Sequence, residues 1–305
     1  MNPNKLISRA QARCPICWSN ASVSVRPYRA GLPNSAKVFS GLSIQTCPTC
    51  SASFADPFPS KEALEAYYAT DYRAADSWHR LPSEPGQWSG AYVRARSQFE
   101  FVSHQTKSLL KPIKSWLDIG AGYGCLLDEA RRQGIETTAA IETDQHSRGR
   151  LRRRGHQNYN SLSKVKHKWD VISFSHFLEH LSSPPDFLQQ IKDRLSDNGC
   201  VFCEVPNELH LQEAQNDAPH LVFFTLHSLS WLFHKIGFQV LTVQTCGKII
   251  KGRGWDTWTD ISRRIAMRLF HTPPAWFDRA IHPHYRYSDK DDRAWIRLLA
   301  RKRDT

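Results

Sequence analysis

The stretch SWLDIGAGYGCLLDEARRQG, Ser115–Gly134, decides how the rest of the chain is read. An apolar run (Trp116, Leu117, Ile119) gives way to Gly120, Gly122 and Gly124, and a helical pattern follows. Strand, tight turn, helix is the implied order. Glycine enters left-handed backbone without a Cβ penalty and lets main-chain N–H groups approach a ligand closely. The spacing is G-x-G-x-G. The pyrophosphate fingerprint of dinucleotide folds is G-x-G-x-x-G, so the third glycine comes too early here, and an acid, Asp118, precedes the turn.

Reading outward, TTAAIETDQHS places Glu142 at the end of the next strand, where an acid can accept both hydroxyls of a ribose. DQHSRGRLRRRG reads as a helix and WDVISFS as an apolar strand. SSPPDFLQQIKDRLSDNG reads as a helix with Ser183 as N-cap, Pro184 at its start and Asn198-Gly199 at its end. CVFCEVPN is a further strand. Strands alternating with helices predict an α/β fold with a mostly parallel sheet and right-handed crossovers. Ligands in such sheets sit beyond the carboxyl ends of the strands.

The N-terminal fifty residues follow different rules. CPIC (Cys14, Cys17) and CPTC (Cys47, Cys50) are two C-x2-C pairs separated by residues 18–46. Each such turn aims two sulfurs at one point, and four thiolates satisfy tetrahedral zinc. SVSVRPYRAG and KVFSGLSIQT carry strand-like alternation, which completes a zinc ribbon. A module with so few apolar residues needs its metal to fold, so the zinc is expected to be structural. The residue after each pair is often Gly; Trp18 and Ser51 stand here, which is expected to change the turn and not the ligands. Cys200 and Cys203 also form C-x2-C, but in a strand, where i and i+3 point to opposite faces. They are expected to be buried apolar residues.

Composition bounds the function classes. The chain has 305 residues, 40% hydrophobic, and a net charge of +12. That length suggests about two domains, and that charge favours acidic partners such as nucleic acid, anionic membrane or phosphorylated substrates. No apolar run approaches the roughly 18 residues of a membrane span, and no secretory h-region opens the chain. A cytoplasmic location is the default, and there eight cysteines point to metal or reduced thiols. After the ribbon, Ser60 can cap a helix over KEALEAYY, residues 81–90 read as a loop, and AYVRARSQFEFVSHQTKSLL reads as a helix. Tyr67, Tyr68 and Tyr72 either pack the ribbon onto the next domain or cover a cofactor; packing is the preferred reading.

LDIGAGYG, Glu142, WDVISFSHFLEHL and NGCVFCEVPN…HLVFFTLHSLSWLFHKIGF together resemble class I S-adenosylmethionine-dependent methyltransferases, over about residues 100–250, with a last strand at RAWIRLLARKR. The cysteine pairs and the tyrosine segment extend the resemblance to the zinc-ribbon members, many of which act on sugars or secondary metabolites. It implies a Rossmann-like domain over 99–305 with an insertion at about 252–290, a ribbon over 1–56 and a helical linker over 57–98. Asp118 and the backbone of Gly120, Ala121, Gly122 and Gly124 would hold the amino-acid end of S-adenosylmethionine, and Glu142 its ribose. Ser175 and His176 would lie near the methyl. Asn160 or Ser161 would stand where the family carries an acid near adenine.

His176, Glu179 and His180 are concentrated in SFSHFLEHL. Positioning of substrate by Glu179 and His180, a proton-accepting role for His176, His180 or His220, and a bound metal are the three readings. Family members with E-x-x-E-H bind a divalent metal; His176 replaces the first acid, which disfavours magnesium. The acceptor expected is a small polar molecule, a sugar above all; the basic surface also admits a phosphorylated or lipid-linked one. An RNA acceptor gripped by RGRLRRRG (148–155) and the ribbon is one alternative; a catalytically inactive binding module is another. Oligomeric state is left open, and the aromatic, basic stretch 252–290 reads as a lid, a dimer contact or an interfacial helix.

Overall fold

The protein is described here as a computed structural model covering residues 12–31, 33–69, 90–107, 112–208, 216–249, 279 and 282–303. Tyr72, the loop at 81–89, the end of the helix beyond 107 and most of 252–290 lie outside the described residues. The first module contains β1 (Val23–Pro27), α1 (Pro33–Phe39), β2 (Ser43–Thr46), β3 (Ser53–Asp56) and α2 (Lys61–Ala69). Then come α3 (Gly90–Thr106), β4 (Ser115–Ile119), α4 (Cys125–Arg132), β5 (Thr137–Ile141), α5 (Gln145–Arg153), β6 (Gln157–Tyr159) and β7 (Trp169–Ser175). The chain continues through α6 (Pro184–Lys192), β8 (Leu195–Pro206), β9 (Val222–Phe223), α7 (Leu226–Ile236), β10 (Phe238–Ile249), β11 (Tyr287–Ser288) and β12 (Arg293–Lys302).

Eight strands form the main sheet in the order β11-β10-β12-β8-β7-β4-β5-β6. β8, β7, β4, β5 and β6 run parallel, and β12 inserts antiparallel between β8 and β10. The order reverses between β4 and β7, so both strands end beside one crevice, the position where α/β sheets bind ligands. The parallel strands are apolar because helices bury both faces: Trp116, Leu117, Val171, Ile172 and Phe174 have no exposed surface. Cys203 joins the core on one face and Cys200 the core on the other, as their spacing predicts.

Two expectations are corrected. KVFSGLSIQT is not strand throughout: Lys37, Val38 and Phe39 end α1, and only Ser43–Thr46 is extended. Phe39 is buried between the rings of Tyr28 and Tyr67, 5.8 and 5.2 Å away, so tertiary packing overrides the alternation. The helix after Ser183 ends at Lys192, and Asn198-Gly199 lies in the entry of β8. Leu195 pairs with Trp169 and Cys200 with Val171, a register shift that absorbs the extra residues. Gly199 is required there because a Cβ would meet the Trp169 carbonyl oxygen at 2.8 Å. Ser183 holds the N-cap position with Pro184 following, but its hydroxyl donates to Asp186 Oδ2 and makes no cap bond.

The ribbon sheet, β1-β2-β3, is completed by β9 from the larger domain. Ser53 and Phe54 pair with Phe223 and Val222, and ribbon residues share one buried cluster with Leu117 and Phe174.

Candidate functional site

The carboxyl end of β4 turns through Gly120, Gly122 and Gly124 at φ 70, 52 and 78. The three glycines serve different ends. At Gly120 a Cβ would press on Phe177 at 3.1 Å, and at Gly124 it would strike Leu151 at 2.5 Å; at Gly122 it would meet nothing within 4 Å. Gly124 is therefore needed by the fold, whereas Gly122 borders open space. The turn is pinned by Gly120 N–H donating to the Ile141 carbonyl and Gly124 N–H to that of Ala121, both 2.9 Å. Glu142 accepts the Gly122 N–H on Oε2 and the Asp144 N–H on Oε1, each at 2.8 Å.

Asp118 is buried and accepts the Ser173 hydroxyl at 2.6 Å, itself fixed by Trp116 Nε1 at 2.8 Å. Burial pushes its carboxyl up to about 7 against the pull of Ser173 and Arg94. A cationic ligand group would favour the ionised form. Asn160 and Ser161 follow β6 at its carboxyl end, where Ser161 meets Ser163 at 2.9 Å.

The second wall begins where β7 ends. Ser175 Oγ accepts the Gln98 side-chain amide at 3.0 Å. His176 is left-handed at φ 51, held by its N–H donating to the Glu204 carbonyl at 2.8 Å. A non-glycine residue in that region is uncommon and marks a constrained site. The strain turns the imidazole so that Nδ1 lies 3.5 Å from Glu179 and Nε2 3.7 Å from Glu204. A single helical turn over Leu178–His180 then carries Glu179 and His180 inward. His180 Nδ1 lies 3.1 Å from the Tyr68 hydroxyl, and the His180 and His220 rings are 5.0 Å apart. Thus the two tyrosines split: Tyr67 packs the ribbon, with its hydroxyl 3.1 Å from Ser35, while Tyr68 reaches the histidines.

Glu179 is 1% exposed, and neither carboxylate oxygen has a hydrogen-bond partner among the described residues. Burial pushes its carboxyl up to about 8, and burial holds His180 down to about 4 and His220 well below the ordinary histidine value. Burial together with Arg94 also lowers His176. The cluster is accordingly a protonated acid among neutral imidazoles near pH 7. Ligand atoms of Glu179, His180 and His220 lie within 4.8 Å of one another. His176 is not in that set, so a cation there would use His220 in place of the His176 that the sequence spacing suggests.

A raised carboxyl pKa means that folding takes up a proton. Stability contributed by Glu179 therefore falls as pH rises from the ordinary glutamate value, about 4.3, toward about 8. Glu179→Gln removes that dependence. The variant should gain on the wild type between pH 5 and pH 8 in unfolding free energy from urea titrations, by about 1 kcal/mol or more; a difference independent of pH would show that Glu179 titrates normally.

Sequence reasoning missed the charged floor of this crevice. Glu204 on β8 is fully buried and accepts from Arg297 Nε at 2.6 Å, from Arg94 Nε at 2.8 Å and from Arg94 Nη2. Burial opposes its ionisation, but Arg94 and Arg297 outweigh that and hold the carboxyl far below its usual range. The signal was present: an acid inside CVFCEVP and an arginine inside WIRLLA are both anomalous in core strands. The strand register sets them directly opposite one another.

The four ribbon sulfurs lie within 4.8 Å of one another, with Cys14–Cys50 at 3.6 Å and Cys17–Cys47 at 3.4 Å. Tetrahedral zinc with Zn–S near 2.3 Å has S–S edges of about 3.8 Å, so the set fits that ion. The expected change of turn after each pair does not occur. Trp18 and Ser51 take φ 60 and 59, as glycine would, and the knuckles are bonded alike: Trp18 N–H to the Cys14 carbonyl and Ser51 N–H to that of Cys47.

Residues 88–243 match the family model described as Methyltransferase domain, and the chain belongs to that methyltransferase family. Among solved structures, the plantazolicin methyltransferase BamL in complex with a triazolic desmethylPZN analog and SAH aligns with TM-score 0.53 at 15% identity, over 79% of this chain and 94% of that one. An S-adenosylmethionine-dependent methyltransferase from Clostridium acetobutylicum ATCC 824 aligns with TM-score 0.47 at 9% identity, over 80% and 99%. At 15% identity the likeness to BamL speaks to the fold, which is that of a class I methyltransferase. No curated protein matches the chain. No helix among the described residues is long and apolar enough to cross a membrane.

Proposed function

We propose that the protein transfers a methyl group from S-adenosylmethionine to a small polar acceptor, a sugar, and that zinc bound by Cys14, Cys17, Cys47 and Cys50 is structural. The observation that carries the cofactor reading is the open face of Gly122 between the Asp118 and Glu142 carboxylates. When bound, the cofactor supplies an electrophilic methyl on a sulfonium centre. Asp118 and the backbone of Gly120, Ala121, Gly122 and Gly124 hold its amino-acid end; Glu142, at the end of β5, takes the ribose hydroxyls. Ser175 and His176 border the methyl.

The acceptor lies against His176, His180 and His220. Burial keeps these imidazoles neutral at pH 7, the form able to take a proton from a hydroxyl. Glu179 orients the ring array. Half-buried imidazoles flanked by the Tyr68 and Phe223 rings suit a small molecule better than a duplex. The basic run 148–155 supports RNA weakly, because much of it is used internally: Arg148 donates to the Thr143 carbonyl, Arg150 lies over the Tyr123 ring and Arg154 pairs with Asp128.

The test is a labelled-methyl transfer screen over nucleotide-linked sugars, glycans and RNA. On the acceptor found, His176→Ala should bind S-adenosylhomocysteine within a few-fold of wild type, yet lose about 10²- to 10³-fold in kcat, the usual contribution of a positioned base. Normal turnover in that variant would remove His176 from the reaction. Transfer to RNA alone would overturn the sugar reading.

A further inference from the structure

His220 reaches the crevice from the loop at 216–221; the larger domain holds its Leu221 N–H through the Glu179 carbonyl at 2.8 Å, and the ribbon holds the Asp217 side chain and N–H and the His220 and Leu221 carbonyls. Asp217, whose side chain has no exposed surface, is clamped by two arginines. Arg26 donates Nη1 and Nη2 to its two oxygens at 2.6 and 2.8 Å; Arg29 donates its backbone N–H at 2.8 Å and Nη2 at 2.7 Å. Burial opposes ionisation of Asp217, but the hydrogen bonds from Arg26 and Arg29 win and hold its carboxyl below the usual range. The loop backbone continues the contact. Asp217 N–H donates to the Arg29 carbonyl at 2.8 Å, and His220 N–H to the Asp217 carbonyl at 3.0 Å. The Tyr28 hydroxyl donates to the His220 carbonyl at 2.9 Å, and Ala55 N–H to the Leu221 carbonyl at 2.8 Å.

Mere docking does not require this. The β3–β9 pairing and the shared apolar core already join the two modules. A buried carboxylate with two guanidinium partners adds little net stability over apolar packing, and fixing a unique geometry is one reason such groups are kept. Here the geometry fixed is that of one imidazole, set against His180.

We propose that the ribbon forms one wall of the acceptor pocket and that Asp217, clamped by Arg26 and Arg29, is a positioning residue that acts through His220. This rests on the reading of the crevice as the methyl-transfer site. A small module filled by zinc thereby decides where a histidine of the larger domain stands.

The test uses full-length, zinc-loaded protein and three readouts: zinc content, amide hydrogen exchange by mass spectrometry, and the side-chain ¹⁵N signals of His220, assigned with His220→Gln. In Asp217→Asn, zinc content should stay as in wild type. Exchange over 216–224 should rise about 30-fold or more while 115–144 stays within about 2-fold. The His220 ring signals should move toward those of a solvent-exposed imidazole. Arg26→Lys, which keeps the charge but offers a single nitrogen in place of the two-nitrogen fork, should give an intermediate rise. Wild-type protection and unmoved His220 signals in Asp217→Asn would overturn the proposal. If Asp217→Asn loses protection throughout the chain, Arg26→Lys decides by the same readouts. Calorimetry with S-adenosylhomocysteine separates the two readings: no binding by wild type sinks the cofactor assignment, while the exchange and ring signals still decide whether Asp217 positions His220.

Discussion

Cys47→Ser is expected to strip the protein of zinc and to unfold the ribbon. Four sulfurs converge within 4.8 Å, and thiols so close cannot all ionise without a cation between them. Burial, together with the neighbouring Cys47 and Cys14, pushes the Cys17 thiol up to about 11. A serine oxygen replaces one thiolate poorly, and structural zinc contributes about 10–16 kcal/mol of folding free energy, far more than the core of so small a module. The loss should spread, since β3 carries β9 and the core is continuous with Leu117. Metal analysis should fall from about one zinc per chain to a small fraction, with protease cleavage appearing within residues 12–56. Cys200→Ser is the control: Cys200 lies in the opposite core and should leave zinc content unchanged. Full zinc retention in Cys47→Ser would refute the four-thiolate site.

Gly122→Val and Gly124→Ala should separate binding from folding within one turn. Both positions are left-handed, so any side chain costs about 1–2 kcal/mol in backbone strain, more for a β-branched one. Their surroundings differ. At Gly124 even a methyl group strikes Leu151; overpacking adds about 1–3 kcal/mol, and the chief readout is a lower urea midpoint. Gly122 has room, so valine is tolerated by the packing but occupies the face a ligand would use. Calorimetry with S-adenosylhomocysteine should show affinity weakened about 100-fold or more, equivalent to about 2.7 kcal/mol. Undiminished binding by Gly122→Val would remove this turn from the cofactor site.

Much of this was legible because it is local. The strand–turn–helix at Ser115–Gly134, the acid at Glu142 and the two C-x2-C knuckles each specify geometry over a few residues, where backbone freedom and ligand spacing decide. One local feature was misread: Trp18 and Ser51 were expected to change the turn after each knuckle, yet they keep the left-handed conformation its hydrogen bonds set. The other errors fell where distant packing competes with local pattern. Phe39 became helical to meet Tyr28 and Tyr67, and Asn198-Gly199 joined a strand because β8 needed its extra residues.

By itself, then, the sequence determined the order of elements, the place of the glycine turn, and which four cysteines meet. Only the tertiary structure decided which distant groups face each other: Glu204 with Arg94 and Arg297, Asp217 with Arg26 and Arg29, and His220 with the Glu179 and His180 that the sequence had already placed side by side. Those pairings span long sequence separations. No local spacing encodes them, because the cost of burying a charge is met only when the fold brings its partner to it.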